Sequence, residues 1–311
     1  MKTSVVMATY NGAEYLYEQL DSLRDQTMPI DEVIICDDRS KDDTVKMLKD
    51  YIARNGLEKT WKVIVNEENL GYANNFHKAM QLAEGEYIFF SDQDDIWCLN
   101  KIAEMVRVME ENPQVQLLCT DYEPFSSAEN APSVPDKIMK KMTGDGSLEK
   151  IPLNSHNIYI ASLGCDMAIR KTFRDQIEPY WISGWAHDDY VWKTAQCVDG
   201  CFTYHKPLIK RRLHASNVSM RKMHNKAIRV KFLKELAEAN TGMLNFAKSV
   251  NLDKRKIQFI ERTIKASGLR AELVEKCKLV NSFKLLFYMD CYHSKKSILM
   301  EPYIAIKNRK R

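Results

Sequence analysis

A chain of 311 residues, 45% hydrophobic and 28% charged, has the length and apolar content to bury a large core, which excludes disorder over most of its extent. The formal charge of +4 hides a division: residues 222–311 hold 21 Lys/Arg against 8 Asp/Glu, so the rest is net acidic and the basic tail is suited to face something anionic. No stretch of about 18 apolar residues occurs, so no segment reads as a bilayer span, and the apolar run at residues 5–8 is too short for a signal-peptide core.

The eight cysteines have no repeating spacing, and Cys197 and Cys201 lack a second Cys/His pair at zinc-site spacing. Free thiols in a reducing, cytoplasmic compartment are expected.

Along the first 120 residues, short apolar runs at 4–8, 32–36, 62–65, 87–91 and 116–120 read as strands. Between them, Leu16, Leu20 and Leu23 share one helical face, as do Val45, Leu48 and Ile52. Strand–helix alternation of this kind predicts an α/β fold with a mostly parallel sheet, whose ligands gather beyond the carboxyl ends of the strands. The unusual polar residues fall there: Thr9-Tyr10-Asn11-Gly12, Asp37-Asp38-Arg39-Ser40, residues 66–75, and Asp92-Gln93-Asp94-Asp95.

Residues 123–150, rich in proline and glycine, read as a loop or flap. A mixed segment at 157–170, a helix from about His187 and a strand pair around 202–213 follow. From Arg221 the pattern is helical, broken by a turn at Asn251-Leu252-Asp253.

The run Tyr87-Ile88-Phe89-Phe90 predicts a buried central strand, and it stops abruptly at three aspartates. Carboxylates crowded at a strand end repel one another unless a cation sits among them. A Mg²⁺ or Mn²⁺ bridging carboxylate and diphosphate oxygens would relieve that repulsion and neutralise charge on a leaving nucleotide. Asp95 is expected to cap a helix starting near Ile96, and Asp42 and Asp43 to cap the helix before Val45. Asp38 is expected to accept hydrogen bonds from a nucleobase or ribose.

Taken in order, Val5-Val6-Met7-Ala8-Thr9-Tyr10-Asn11-Gly12, Asp37-Asp38-Arg39-Ser40, Asn69-Leu70-Gly71-Tyr72 and Ser91-Asp92-Gln93-Asp94-Asp95-Ile96-Trp97 resemble family 2 glycosyltransferases, in particular their rhamnosyltransferase-like branch. The resemblance covers about 220 residues and implies a GT-A fold, with a catalytic domain over 1–220 and a basic helical extension over 221–311. The nucleotide-binding half would span about 1–122 and the acceptor half about 151–220. Thr9, Tyr10, Asn11 and Asp38 would line the base and ribose pocket, with Gly71 and Asn75 near the donor. This chain carries Asn74-Asn75-Phe76-His77 where many relatives have Ala-Arg-Asn, which puts the donor contacts of that helix in doubt. Asp92-Gln93-Asp94 would be the DxD motif, with Asp94 the direct metal ligand and Asp92 beside it. Arg212 and His214, in an element resembling the family's Arg-x-His-x-x-Asn, would reach phosphate and metal.

Inverting sugar transfer requires a carboxylate that takes the acceptor hydroxyl's proton. Trp185-Ala186-His187-Asp188-Asp189 sets two carboxylates beside aromatics. Matched to the family's His-Asp form the base is Asp188; matched to its acidic pair it is Asp189. Trp185, His187 and Asp166 are assigned to the acceptor side, and Trp192 to the core.

The expected donor is a UDP- or dTDP-sugar, and the expected acceptor a glycan or lipid-linked glycan. Residues 282–289 are strongly apolar in a basic neighbourhood and would either lie on the inner leaflet of the membrane or pack on the catalytic body. Nucleic acid is not expected, since no binding motif accompanies the charge. A nucleotidylyltransferase would need a Gly-rich basic loop where Thr9-Tyr10-Asn11-Gly12 stands, and a silent binding module would have lost an acid.

Overall fold

The computed structural model describes residues 2–126, 131, 133–214, 225–293 and 295–307. In chain order the elements are β1 (Thr3–Thr9), α1 (Leu16–Arg24), β2 (Glu32–Asp37), α2 (Thr44–Arg54), β3 (Trp61–Val65), α3 (Tyr72–Leu82), β4 (Tyr87–Ser91), β5 (Ile96–Trp97), α4 (Lys101–Glu111) and β6 (Leu117–Ser126). They continue as α5 (Asp136–Met139), β7 (Leu148–Lys150), β8 (Met167–Arg170), α6 (Lys171–Ile177), α7 (His187–Cys197), β9 (Cys201–Leu213), α8 (Lys226–Ser249), α9 (Lys254–Lys276), α10 (Val280–Leu285) and α11 (Lys295–Lys307).

One mixed sheet runs β3-β2-β1-β4-β8-β6-β9-β5, with β7 on β9. The four strands β3, β2, β1 and β4 are mutually parallel, while β8 runs antiparallel to both β4 and β6. The period of two along each strand divides the core in two. Val6, Ile34, Ile88, Phe90 and Leu117 face α3, α6 and α7 on one side. Val5, Met7, Val33, Ile35, Phe89 and Leu118 face α1, α2 and α4 on the other.

Two expectations are corrected. Residues 202–213 belong to a single strand of 13 residues: β9 contains Pro207, which reads as a break, but the bulged register against β6 absorbs it. The segment 123–150 is not all loop, because β6 extends to Ser126 and β7 joins the sheet.

The long helices do not stand apart from the sheet. Ala239, Met243, Phe246 and Ala247 of α8 and Ile260 of α9 belong to the same apolar cluster as α7 and β4. An added Cβ at Gly242 would sit 2.6 Å from the Trp185 ring and 3.0 Å from the Tyr180 carbonyl, so α8 is pressed closely onto the segment before α7. Helix α9 starts where Asp253 accepts hydrogen bonds from the Arg255 and Lys256 N–H groups, after the left-handed Asn251. Arg229 of α8 and Arg270 of α9 converge on the fully buried Glu301 of α11. Among the described residues no helix is long and apolar enough to cross a membrane.

Candidate active site

The loops after β1, β2 and β4 meet at the carboxyl end of the sheet and bind one another through side chains. Thr9 donates to Asp37 at 2.8 Å, and Asp37 also accepts from the N–H and hydroxyl of Ser40. The Asn11 N–H donates to Ser40 Oγ and its side-chain oxygen accepts from the Lys41 N–H, both at 2.8 Å. Gln93 is doubly bonded to the Tyr10 backbone. Asn11 (φ 48°) and Arg39 (φ 64°) both adopt left-handed backbone here, a conformation sustained by these cross-links.

The buried Asp38 accepts from the Leu70 N–H at 2.7 Å, the Gly71 N–H at 2.8 Å and the Asn66 side chain at 2.9 Å. It thus anchors the entry to α3, where Gly71 takes φ 78°. Asn75, expected near the donor, is buried with its amide spent on the Cys36 carbonyl and on Asn66. Tyr10 is exposed at the rim.

The acids after β4 separate into two groups. Asp92 and Asp95 lie with Cys165 so that one ligand atom from each falls within 4.8 Å of the others. Burial, then the charges of Asp94, Asp95 and Asp188, holds the Asp92 carboxyl well above its ordinary range. Burial and Asp94 push Asp95 up to about 6. Asp94 instead meets the far end of β9, its Oδ2 lying 2.7 Å from His214 Nε2. Asp95 does not cap a helix: Ile96 and Trp97 form β5, and the Asp95 carboxylate accepts the Arg212 N–H at 2.9 Å. Of the two other expected caps, Asp42 accepts from the Thr44 N–H and hydroxyl, while Asp43 makes no side-chain cap.

Arg212 spans the site. Its Nε donates to the Asp94 carbonyl, its terminal nitrogen pairs with Glu18, and its guanidinium lies between the rings of Tyr15 at 4.5 Å and Phe125 at 4.6 Å. The element that would continue this strand, Ala215-Ser216-Asn217, lies outside the described residues.

Helix α7 brings Asp188 to the cluster. Asp188 is half-buried, close enough to Asp92 to raise its pKa, and is itself pushed up to about 6 by burial and then by Asp189. Asp189 is bound on both carboxylate oxygens by the buried Lys193 and accepts the Trp185 indole N–H at 2.7 Å.

All three acceptor-side assignments are interior. Trp185 is 6% exposed against α8. His187 stacks on Phe76 at 3.8 Å between centroids and neither ring nitrogen has a partner among the described residues, so burial drives its pKa down to about 3 and keeps it neutral. Asp166 is buried, accepts from Ser162 Oγ and the Leu163 N–H, and is raised by burial to about 7. Trp192 is core, as expected, with its indole N–H on the Asn157 carbonyl.

Sequence reasoning missed Lys101 and Cys165. Lys101 is fully buried beneath the acids, donates to the Cys165 carbonyl at 2.7 Å and lies 3.8 Å from the Trp97 ring centroid, with burial lowering its pKa to about 8. A lysine within a helix start carries no sequence signal of burial. All eight cysteines are free, and Cys197 and Cys201 are buried.

A nucleotide-sugar transferase fold of the GT-A type, with an acidic strand end at its centre, is therefore the class defined by sheet and site. Residues 4–173 match the Glycosyl transferase family 2 profile, and the chain belongs to that family. Over 109 residues, 34% of this chain and 41% of the relative, it is 34% identical to an Escherichia coli UDP-Glc:α-D-GlcNAc-diphosphoundecaprenol β-1,3-glucosyltransferase, WfaP. The matched stretch covers about a third to a half of the length of such curated relatives. The fold is shared with the 1–349 portion of Staphylococcus aureus TarS in complex with UDP, at TM-score 0.62 and 20% identity over 100% of this chain and 92% of that one. It is also shared with the mannosyltransferase PcManGT of Pyrobaculum calidifontis in complex with GDP-Man and Mn²⁺, at TM-score 0.57 and 19% identity over 99% and 87%.

Proposed function

We propose that this chain is an inverting, metal-dependent glycosyltransferase that moves a hexosyl or deoxyhexosyl group from a UDP- or dTDP-sugar to an acceptor hydroxyl, in the synthesis of a bacterial cell-surface polysaccharide. The observation that carries this is the gathering of Asp92, Asp94 and Asp95 where β4 ends, with Asp94 facing His214 at 2.7 Å and the charge of Asp188, from α7, adding to what raises Asp92. On this reading Asp188 is the acid on the acceptor side of a cluster that receives the diphosphate.

Asp94, His214 and Asp92 would hold Mn²⁺ or Mg²⁺: carboxylates and one imidazole are a donor set such ions accept, and the mutual repulsion at Asp92 is what a bound cation would relieve. Bound there, the ion supplies positive charge to the departing nucleoside diphosphate. Asp188 takes the acceptor proton as the hydroxyl oxygen bonds to the anomeric carbon and the bond from that carbon to the diphosphate oxygen breaks. Asp189, bound to Lys193 and Trp185, fixes the start of α7. Thr9, Tyr10, Asn11 and the loop anchored by Asp38 would receive the base and ribose.

WfaP's named donor and lipid diphosphate acceptor support a nucleotide donor and a lipid-linked glycan acceptor here. The sequence resemblance to the rhamnosyltransferase-like branch supports a deoxyhexose among the candidates. Catalysis is assigned to residues 1–220 and a supporting role to the helices beyond, on the cytoplasmic side of the membrane. The test is a panel of nucleotide sugars with Mn²⁺ or Mg²⁺, scored for nucleoside diphosphate release. A panel without any cation-dependent release would overturn the proposal.

A further inference from the structure

Among the described residues the most exposed apolar side chains gather far along the chain, on the outer side of α10 and the 3₁₀ turn Leu286–Cys291, and on α11. Val280, Phe283, Leu286 and Phe287 follow helical spacing on one face and all point to solvent, Phe283 being 72% and Phe287 78% exposed. The opposite face is fully used: Leu285 and Cys291 are buried on α9 together with Ala305 of α11. Arg262 of α9 donates to the Phe287 carbonyl and pairs with Asp290, so the turn is clamped in place. Helix α11, packed on the same α9, carries a second outward row of Leu299, Tyr303 and Ile306.

The charge around this surface selects its occupant. In sequence, residues 276–311 contain nine Lys/Arg and two acids, Asp290 and Glu301, and Lys278 is paired with Glu272 of α9. Asp290 is neutralised by Arg262, and Glu301 is buried between Arg229 and Arg270. Lys284 and Lys307 form no ion pair with a carboxylate among the described residues. A second copy docked here would set one cationic surface against another. A bilayer with anionic headgroups offers negative charge outside and an apolar phase beneath.

We propose that the exposed face of α10 and its following turn is a docking surface for an anionic membrane, with Phe283 and Phe287 entering the interface and Lys284 and Lys307 resting on headgroups. Solvent-exposed aromatic and aliphatic side chains, gathered on one clamped face within a cation-rich segment, suit that partner. The proposal stands on surface chemistry and is independent of the sugar-transfer reading.

The experiment is flotation of the full chain with vesicles of phosphatidylcholine alone or mixed with phosphatidylglycerol, at low and high salt. The chain is expected to float with the anionic vesicles, roughly tenfold less with the neutral ones, and less again at high salt. The double variant Phe283→Ser/Phe287→Ser is expected to cut recovery by roughly tenfold or more while its melting temperature and nucleotide binding stay unchanged. Lys284→Glu/Lys307→Glu should weaken only the anionic-vesicle binding. The proposal fails if the wild type does not float, if the phenylalanine variant floats as well as wild type, or if those residues instead support a dimer in sedimentation that vesicles do not disperse.

Discussion

Lys193 sits one turn beyond Asp189 on α7 and binds both oxygens of its carboxylate, with the Trp185 indole N–H closing the other side. The neighbouring Asp188 accepts a hydrogen bond from the Asp189 N–H at 2.8 Å and no cation pairs with it among the described residues. Of the two carboxylates, Asp189 is committed to holding the helix start and Asp188 has capacity left for a proton. Asp188→Asn is expected to lower acceptor-dependent turnover by roughly 10²–10⁴ while nucleotide binding, measured by calorimetry, is kept. Asp189→Asn should act through stability, since it leaves Lys193 buried without a counter-charge, at about 3–5 kcal/mol in chemical denaturation. Full turnover by Asp188→Asn beside a well-folded but dead Asp189→Asn would reverse the assignment.

The pH profile should carry the same signature. Burial and Asp189 push Asp188 up to about 6, and only its ionised form can accept a proton. Turnover is therefore expected to rise with pH through about 6 and to fall roughly tenfold per unit below it. Removing the neighbouring charge in Asp189→Asn should move that limb to lower pH in stopped assays of nucleoside diphosphate release.

Calorimetry of UDP and dTDP with and without Mn²⁺ tests the cation site directly. Wild type is expected to bind either nucleotide more tightly with the ion present. Asp94→Asn and His214→Ala, which remove opposite ends of the 2.7 Å contact, should each abolish at least roughly tenfold of that gain. An unchanged gain in both variants would place the ion elsewhere.

His187 gives a pH effect of opposite origin. Its pKa is about 3 in the fold and near 6.5 when the chain is unfolded. Between those values the unfolded chain binds the extra proton, so this residue's contribution to stability is complete above about 6.5 and is lost as pH falls. From pH 6.5 to 5 the loss is about 2 kcal/mol. His187→Phe should erase that slope; the difference in unfolding free energy between variant and wild type, read at the two pH values, cancels any constant packing offset.

Strands β1 to β4 were readable because each is apolar, short and followed by a polar loop, and β4 ends at Ser91 as its run of aromatics predicts. What sequence cannot display is which polar side chains are turned inward. Asp38, Asn75, Asp166 and His187 all read as exposed polar groups, yet each is turned inward, the first three onto backbone groups and the side chains of Asn66 and Ser162 and the last onto an aromatic face. Lys101 and Cys165 gained a place in the site only because β4, α4 and the 3₁₀ turn at Gly164–Asp166 converge. Asp95 misled for a simpler reason: two residues of strand intervene before the helix it appeared to cap.

The unbroken course of β9 has a consequence for how this protein can vary. Alternate residues of a strand look opposite ways, and here Arg211 lies over the Tyr122 ring whereas Arg212 reaches Asp94 and Glu18. Dropping a single residue between Pro207 and Arg211 would exchange the two arginines and turn His214 away from Asp94. Beyond its bulge, this strand therefore keeps its two faces only when residues are gained or lost in pairs.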